Sequence, residues 1–555
     1  MLDEAFLRNE VEPYIDKLYL DKPLLSRDRD SATIHLLRIL EDMTRFVTMK
    51  PFTPGNRELQ FHTRLRWAHE AIPWALRWVW RDCAVAGPAS LDLDWTLYKE
   101  AHDLMDLAFD YYQICRYFVL YSRGFMCAET TKERKRVRFY FRSDPEQYRD
   151  AASMIYSVLQ DFTPVSAALQ KLMTETMPVI STILPHYIDK TGAFSIRCET
   201  PPDLMEYFKS WATMLVDEMK FEMPGTWQFG DYNLDQFKSF WKSILAQALA
   251  HIQAHEYADE TVGTKGGAIG SLVMQVSEEW LSKARALFPI PVMAWSSILS
   301  SLIYQPTRDY WDPFWQPLIK TSDGTLLIAP HLITSSSPER NLMTLLTRSA
   351  AGRTSYDRVS SEKELEQLNG LLQLFQPPRY TSKTRVLVPR GDGTTLTDID
   401  LLLYDRETDV LLLLHAKWFI RPDMVQEQLA REQEVHVALR TATRAATRIT
   451  ELGEAWMSRV LAIELNHLPT LHSVVVCRDF VPGGWVHDQH IPVINEEFLA
   501  KFVGSPQFTG LASLYAACAG FTKSVEKMDS VELAEREIPF GAYTFEVPTM
   551  EFAKK

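Results

Sequence analysis

At 555 residues, with 46% hydrophobic and 24% charged residues, the chain is too long for one ordinary core and too apolar to be disordered, so two to four domains are expected. A net charge of −13 argues against indiscriminate nucleic-acid binding over the whole surface but leaves room for a local basic groove. The six cysteines (Cys83, Cys115, Cys127, Cys198, Cys477, Cys518) show no C-x-x-C spacing and no zinc-finger-type cluster, which points to reduced thiols and a cytoplasmic setting.

In chain order, MLDEAFLRNEVEPY is acidic and lacks an apolar h-region, so no signal peptide is expected. RLRWAHEAIPWALRWVW, TLYKEAHDLMDLAFDYYQICRYFVLY, DPEQYRDAASMIYSVLQDF and DQFKSFWKSILAQALAHIQAHEYADE carry apolar residues at three- and four-residue spacings, the mark of packed amphipathic helices. Residues 1–307 therefore read as a helical region of one or two subdomains. Within it, TTKERKRVRFYFRSD (130–144) alternates and reads as a basic hairpin, with Arg134, Arg136, Arg138, Arg142 and Tyr140 opposite an apolar set of Val137, Phe139 and Phe141. That basic face either contacts phosphate, with Tyr140 stacking on a base, or is a solvated outer face. TVGTKGGAIGS (261–271) is no phosphate loop, because Lys265 precedes its glycines. The uncharged stretch 286–307 reads as a buried helix after a Pro-rich turn, and no membrane span is expected.

From residue 308 the texture changes. A connector (308–335) holds the short strand TLLIAP; a helix at 339–349, the polar link AGRTSYDRVS and a second helix at 361–375 follow. Strands come next at 384–389, 397–405 and 410–419, then a helix over 423–452, a strand at 473–480 and a strand-to-helix step at 491–502. This order makes 336–503 an α/β or α+β domain with a central mixed sheet, and leaves 504–555 as a C-terminal helix and tail.

In TDIDLLLYDRETDVLLLLHAKW, alternation places Asp398 and Asp400 on one face of their strand and His415 and Lys417 on one face of the next. A hairpin would gather Asp400, His415 and Lys417 at the strand ends. Hydrolysis of a phosphodiester uses hard oxygen ligands for Mg²⁺ or Mn²⁺ and a cation beside the developing charge, and these residue types supply both. The helix before the sheet offers Glu362, Glu364 and Glu366. If Leu365, Leu368, Leu371, Leu372 and Phe375 form its buried face, Glu364 lies ~45° from the centre of that face and the other two more than ~100° away. After the site, His436, Arg440, Arg444 and Arg448 recur at four-residue steps, either along a phosphate backbone or as a solvated face.

These residues resemble the PD-(D/E)xK nuclease superfamily, whose pattern is an Asp on one strand and an acid-x-Lys on the next, usually after a Glu on a preceding helix. Asp400 matches the Asp, Lys417 the Lys, and His415 stands where the acid belongs. The resemblance covers about a third of the chain, and its strand and helix order also looks like that fold. It implies a multidomain protein with a mainly α N-terminal region and a C-terminal restriction-endonuclease-like domain. It further implies metal-dependent cleavage of nucleic acid, DNA more than RNA, with bacterial genome defence as a setting. Asp400, His415 and the Ala416 carbonyl, with Asp398 as a further donor, would hold Mn²⁺ or Mg²⁺; Lys417 would activate water and Glu364 complete the site. Imidazole suits Mn²⁺ better than Mg²⁺. The alternative is a catalytically inactive nuclease fold acting as a nucleic-acid-binding or assembly scaffold, with the helical region binding a protein partner.

Overall fold

The computed structural model describes residues 4–48, 56–85, 91–131, 133–151, 166–191, 196–219, 223–261, 272–306, 312–348, 350–419, 425–478, 490–524 and 531–552. The fold is mixed, with a helical N-terminal region and a C-terminal mixed sheet. Two compact units divide the chain: residues 3–115 with 164–356, and residues 1–2 with 116–163 and 357–555.

Three of the four aromatic segments expected to be helical are so, while residues 152–162 of the fourth, DPEQYRDAASMIYSVLQDF, lie outside the described residues. Helices α1 (Arg29–Thr48), α2 (Asn56–Asp82), α3 (Trp95–Ser122, whose last turns belong to the second unit), α4 (Pro202–Glu218) and α5 (Leu234–Thr261) carry most of the first unit. Phe208 and Trp211 of α4 and Phe237, Phe240 and Trp241 of α5 are fully buried. A reciprocal cap starts α5, with Asn233 accepting from the Gln236 amide and Gln236 from the Asn233 amide, both at 2.9 Å. Glu41 of α1 is wholly buried and accepts from the His331 amide at 2.9 and 3.0 Å and the Leu332 amide at 3.3 Å. The stretch 286–307 forms only a ten-residue helix, Val292–Ser301, which buries Ala294, Trp295 and Ile298 and exposes Val292 and Met293. It is thus half-buried rather than buried. Among the described residues no helix is long and apolar enough to cross a membrane. The glycine-rich loop at 262–271 lies outside the described residues.

The second unit holds two sheets. Strands β1 (Cys127–Thr130), β2 (Arg136–Tyr140), β8 (Val531–Phe540) and β9 (Tyr543–Phe552) form one, in the order β1-β2-β9-β8. Strands β3 (Tyr380–Pro389), β4 (Thr395–Asp405), β5 (Val410–Lys417), β6 (Thr470–Cys477) and β7 (Val493–Asn495) form the other in sequence order. In the five-stranded sheet β3, β4 and β5 are antiparallel, while β5, β6 and β7 are parallel, as a mixed sheet requires. One face packs on α6 (Ala350–Gln373), α8 (Glu496–Val503) and α9 (Leu511–Ser524), through Leu401, Leu403, Leu412 and Leu414 against Leu368, Leu371, Leu499 and Leu514. The other packs on α7 (Val425–Leu461), the crossover between β5 and β6. The first part of α7 ends near the expected residue 452, where Gly453 (φ 72°) leaves helical dihedrals, and a second helical stretch runs on to Leu461.

Three readings are corrected here. The polar link AGRTSYDRVS is helical and continuous with the next helix, because its buried Val359 anchors the turn and polar side chains do not themselves break a helix. Leu365 is 48% exposed while Lys363 is buried, so the inward stripe runs Val359, Lys363, Gln367, Leu371, Phe375 at four-residue steps. The tail after α9 is a hairpin whose β9 pairs in parallel with β2, Phe545 beside Val137.

The β1–β2 hairpin turns Val137 and Phe139 inward, as alternation dictates. Its outward arginines are neutralised by glutamates. Arg136 meets Glu537 at 3.0 Å and Glu546 at 2.8 Å, while Arg138 pairs with Glu129 at 3.1 Å and with Glu535.

The last residue of β4, Asp405, is fully buried and anchors this unit. It accepts from Arg379 at 3.0 and 2.9 Å, the Glu407 amide and the Leu511 amide at 3.1 Å each, and the Thr408 hydroxyl at 2.8 Å. Removing one partner strands the rest, so Asp405→Ala should lower stability by roughly 3–5 kcal/mol. Chemical denaturation measures it; an unchanged midpoint would deny the network its anchoring role.

Candidate active site

The β4–β5 ladder has Leu401 opposite Leu414 as its last pair at this end, whereas β5 continues beside β6 as far as Lys417 opposite Cys477. The Lys417 carbonyl accepts from the Arg478 amide at 2.9 Å. Successive residues direct their backbone groups to opposite sides of a strand, so the amide and carbonyl of Ala416 point towards β4. There the Asp400 carboxylate takes the place of a backbone acceptor, receiving the Ala416 N–H at 2.8 Å. The Ala416 carbonyl and the Asp400 carboxylate thus share the wedge where β4 and β5 part.

The pleat explains why Asp400 is at liberty to do this. Leu401 and Leu403 face α6, whereas Ile399 joins Leu402, Val386 and Val388 in the core under α7. Strict alternation would put Ile399 with Leu401, so the pleat of β4 reverses at Asp400. Its neighbour β3 reverses at the same level, between Thr384 (opposite Leu401) and Val386 (opposite Ile399). Arg385, the residue between, has φ 51°, a left-handed backbone rare for a residue with a Cβ. Such conformations cost on the order of 1–3 kcal/mol.

Electrostatics tie the gathered residues together. Burial pushes the Asp400 carboxyl up to about 6; Lys417 and the Ala416 amide pull it down, and Asp398 and Glu364 push it further up. Burial lowers the His415 imidazole to about 4, with Lys417 adding to the effect and Asp398 opposing it. His415 is 3% exposed, and its Nε2 is buried with no hydrogen-bond partner. Glu364 stands exposed on α6, and neither it nor Lys417 has an ion pair among the described residues.

Sequence reasoning missed the neighbours on α6. Lys363 holds its ammonium 4.8 Å from the ring centre of Trp418, and Gln367 donates to Glu496 at 3.3 Å while its own Oε1 is buried without a partner. The four-residue stripe from Val359 was the available signal. On α7, Arg440 and Arg444 are exposed without an ion pair, whereas Arg448 donates to the Pro389 carbonyl at 2.9 Å and pairs with Glu451 at 2.7 Å. On the hairpin, Arg138 lies 5.8 Å from the centre of the Tyr140 ring, Arg142 donates to the Gly124 carbonyl, and Arg134 sits in the turn with φ 55°.

The donors suit a hard divalent cation in kind: carboxylates of Asp400, Asp398 and Glu364 and one carbonyl, crowding a buried carboxyl that a cation would relieve. Their side-chain ligand atoms do not form a trio within 4.8 Å; among the described residues His102, Asp103 and Asp106 of α3 do. No family model, curated protein or solved structure matches the chain.

A carboxyl raised from 3.8 to about 6 is protonated in both states below about pH 4. Between pH 4 and 6 the unfolded chain alone releases its proton, so stability falls as pH rises and the deficit is complete above 6. Asp400→Asn, which keeps an acceptor for Ala416, should therefore stabilise the protein by roughly 2–3 kcal/mol at pH 7 and by little at pH 4. Denaturation at both pH values tests this; equal effects would remove the buried charge as the cause.

Proposed function

We propose that the second unit is a metal-dependent nuclease of PD-(D/E)xK type acting on DNA. The observation that carries this reading is the half-buried Asp400 carboxyl at the point where the β4–β5 ladder stops, crowded by Asp398 and Glu364 and flanked by Lys417. Asp400, the Ala416 carbonyl and Glu364 would hold Mg²⁺ or Mn²⁺, with Asp398 as a further donor. When bound, such a cation polarises a phosphoryl oxygen and lowers the pKa of an attacking water. Lys417 orients that water and offsets the charge that develops on phosphorus oxygens. Asp400 must be ionised to take part, so cation affinity rises with pH through about 6. His415 occupies the acid position of the motif as a neutral imidazole, offering a lone pair and no charge, which favours Mn²⁺ over Mg²⁺. On this reading the sheet unit cuts, and the aromatic helical unit holds the substrate or a partner protein.

Cleavage of labelled single- and double-stranded DNA and RNA in Mn²⁺ and Mg²⁺ is the test. DNA cleavage should fall at least ~100-fold in Asp400→Asn and in Lys417→Ala, and His415→Glu should raise the Mg²⁺-supported rate. A wild-type protein that neither cuts nor gains thermal stability from either cation would overturn this reading in favour of a nuclease fold that binds without cutting.

A further inference from the structure

The geometry points to Arg385 as a substrate contact, gripping a backbone phosphate beside the one attacked at Asp400. This rests on the nuclease reading. Arg385 lies between the pairs Thr384–Leu401 and Val386–Ile399, so it is the cross-strand neighbour of Asp400. Adjacent strands lie roughly 4.7–4.9 Å apart, which puts Arg385 within one phosphate of the reacting group. Its left-handed backbone, in mid-strand, is a conformation that glycine or asparagine would adopt with less strain, yet an arginine occupies it.

The guanidinium is also uncommitted. Arg385 is exposed and, among the described residues, has no hydrogen bond or ion pair, not even with Asp400. Elsewhere in this unit Arg136, Arg138, Arg379 and Arg448 are each engaged by a carboxylate. The other uncommitted arginines considered above, Arg440 and Arg444, lie on α7. That helix crosses the sheet from Val475 and Cys477 of β6, under Val435, Leu439 and Ala442, to Val386 and Val388 of β3, under Ala445 and Ile449. Arg385 at the sheet edge and the α7 pair thus bracket the end of the sheet that holds Asp400. On a chain of net charge −13, such a row selects the path of a polyanion. Arginine's planar fork fits two phosphate oxygens, which a lysine does not reproduce.

Binding of a fluorescein-labelled duplex DNA to the full-length protein in EDTA, followed by anisotropy, separates this contact from catalysis. Arg385→Gly should weaken binding about five- to tenfold and reduce the salt slope by about one, with a Tm equal to or above wild type. Arg385→Lys should recover part of the affinity. Arg136→Ala combined with Arg138→Ala, which removes neutralised charges, should change affinity less than about twofold. Arg385→Asn, which also tolerates the left-handed backbone, repeats the test should the glycine variant fold poorly. Wild-type affinity in Arg385→Gly or Arg385→Asn, or no DNA binding by wild type, would overturn the contact. Wild type that binds but does not cut, with Arg385→Gly binding more weakly, would sink the nuclease reading and leave the contact standing.

Discussion

The hydrogen bond from the Ala416 amide to the Asp400 carboxylate is the constraint on which the candidate site turns. Two strands that remained paired would bury their own backbone groups in the ladder and leave no room for a ligand. Here the ladder stops after Leu401 and Leu414, and a side chain satisfies the next donor. That substitution fixes the carboxylate to within hydrogen-bond tolerance while its remaining lone pairs face the wedge. Burial at this point raises the carboxyl's pKa while the Ala416 amide and Lys417 partly offset the rise. The pleat reversal shared by β3 and β4 allows the contact.

Much of the scaffold was legible because apolar runs bounded by turn residues admit few alternatives. TDIDLLLYD and VLLLLHAK read as two buried strands, and the hairpin between them follows from its polar turn. Asp398, Lys417 and Glu364 all come within electrostatic reach of Asp400, but neither unbroken strand parity nor the expected helix face accounts for it, since the pleat reverses at Asp400 and Leu365 is exposed. The rest failed for identifiable reasons. Lys363, a charged residue outside the expected apolar face, is buried with its ammonium against Trp418. The pleat reversal leaves no trace in composition: Arg385 sits in TRVLVP where a regular strand looks equally natural. The polar link before α6 shows that absence of apolar periodicity is weak grounds for a loop.

Charge was the least legible property. The densest run of basic residues, on the β1–β2 hairpin, meets glutamates of β8 and β9 as much as 410 residues away in sequence, and its field is largely cancelled. Arg385 of β3 and Arg440 and Arg444 of α7 have no such partners among the described residues and retain theirs. Local density of lysine and arginine measures potential only when the carboxylates brought alongside by the fold are counted too. For this chain the count moves the positive surface from the hairpin to the sheet end.

The parallel pairing of β2 with β9 also governs how the chain is made. Val137 and Phe139 leave the ribosome early, but the strand and the Phe545 ring that cover them are synthesised last. At translation rates of roughly 5–20 residues per second, that β-edge waits some tens of seconds uncovered. An unpaired edge with aromatic residues is a template for the wrong partner. The acidic residues of β8 and β9 that later quench Arg136 and Arg138 are absent during this interval, so of the observed carboxylate partners only Glu129 offsets the nascent hairpin's positive charge. Mutual repulsion between such hairpins on neighbouring polysomal chains opposes their association until the C-terminal strands arrive.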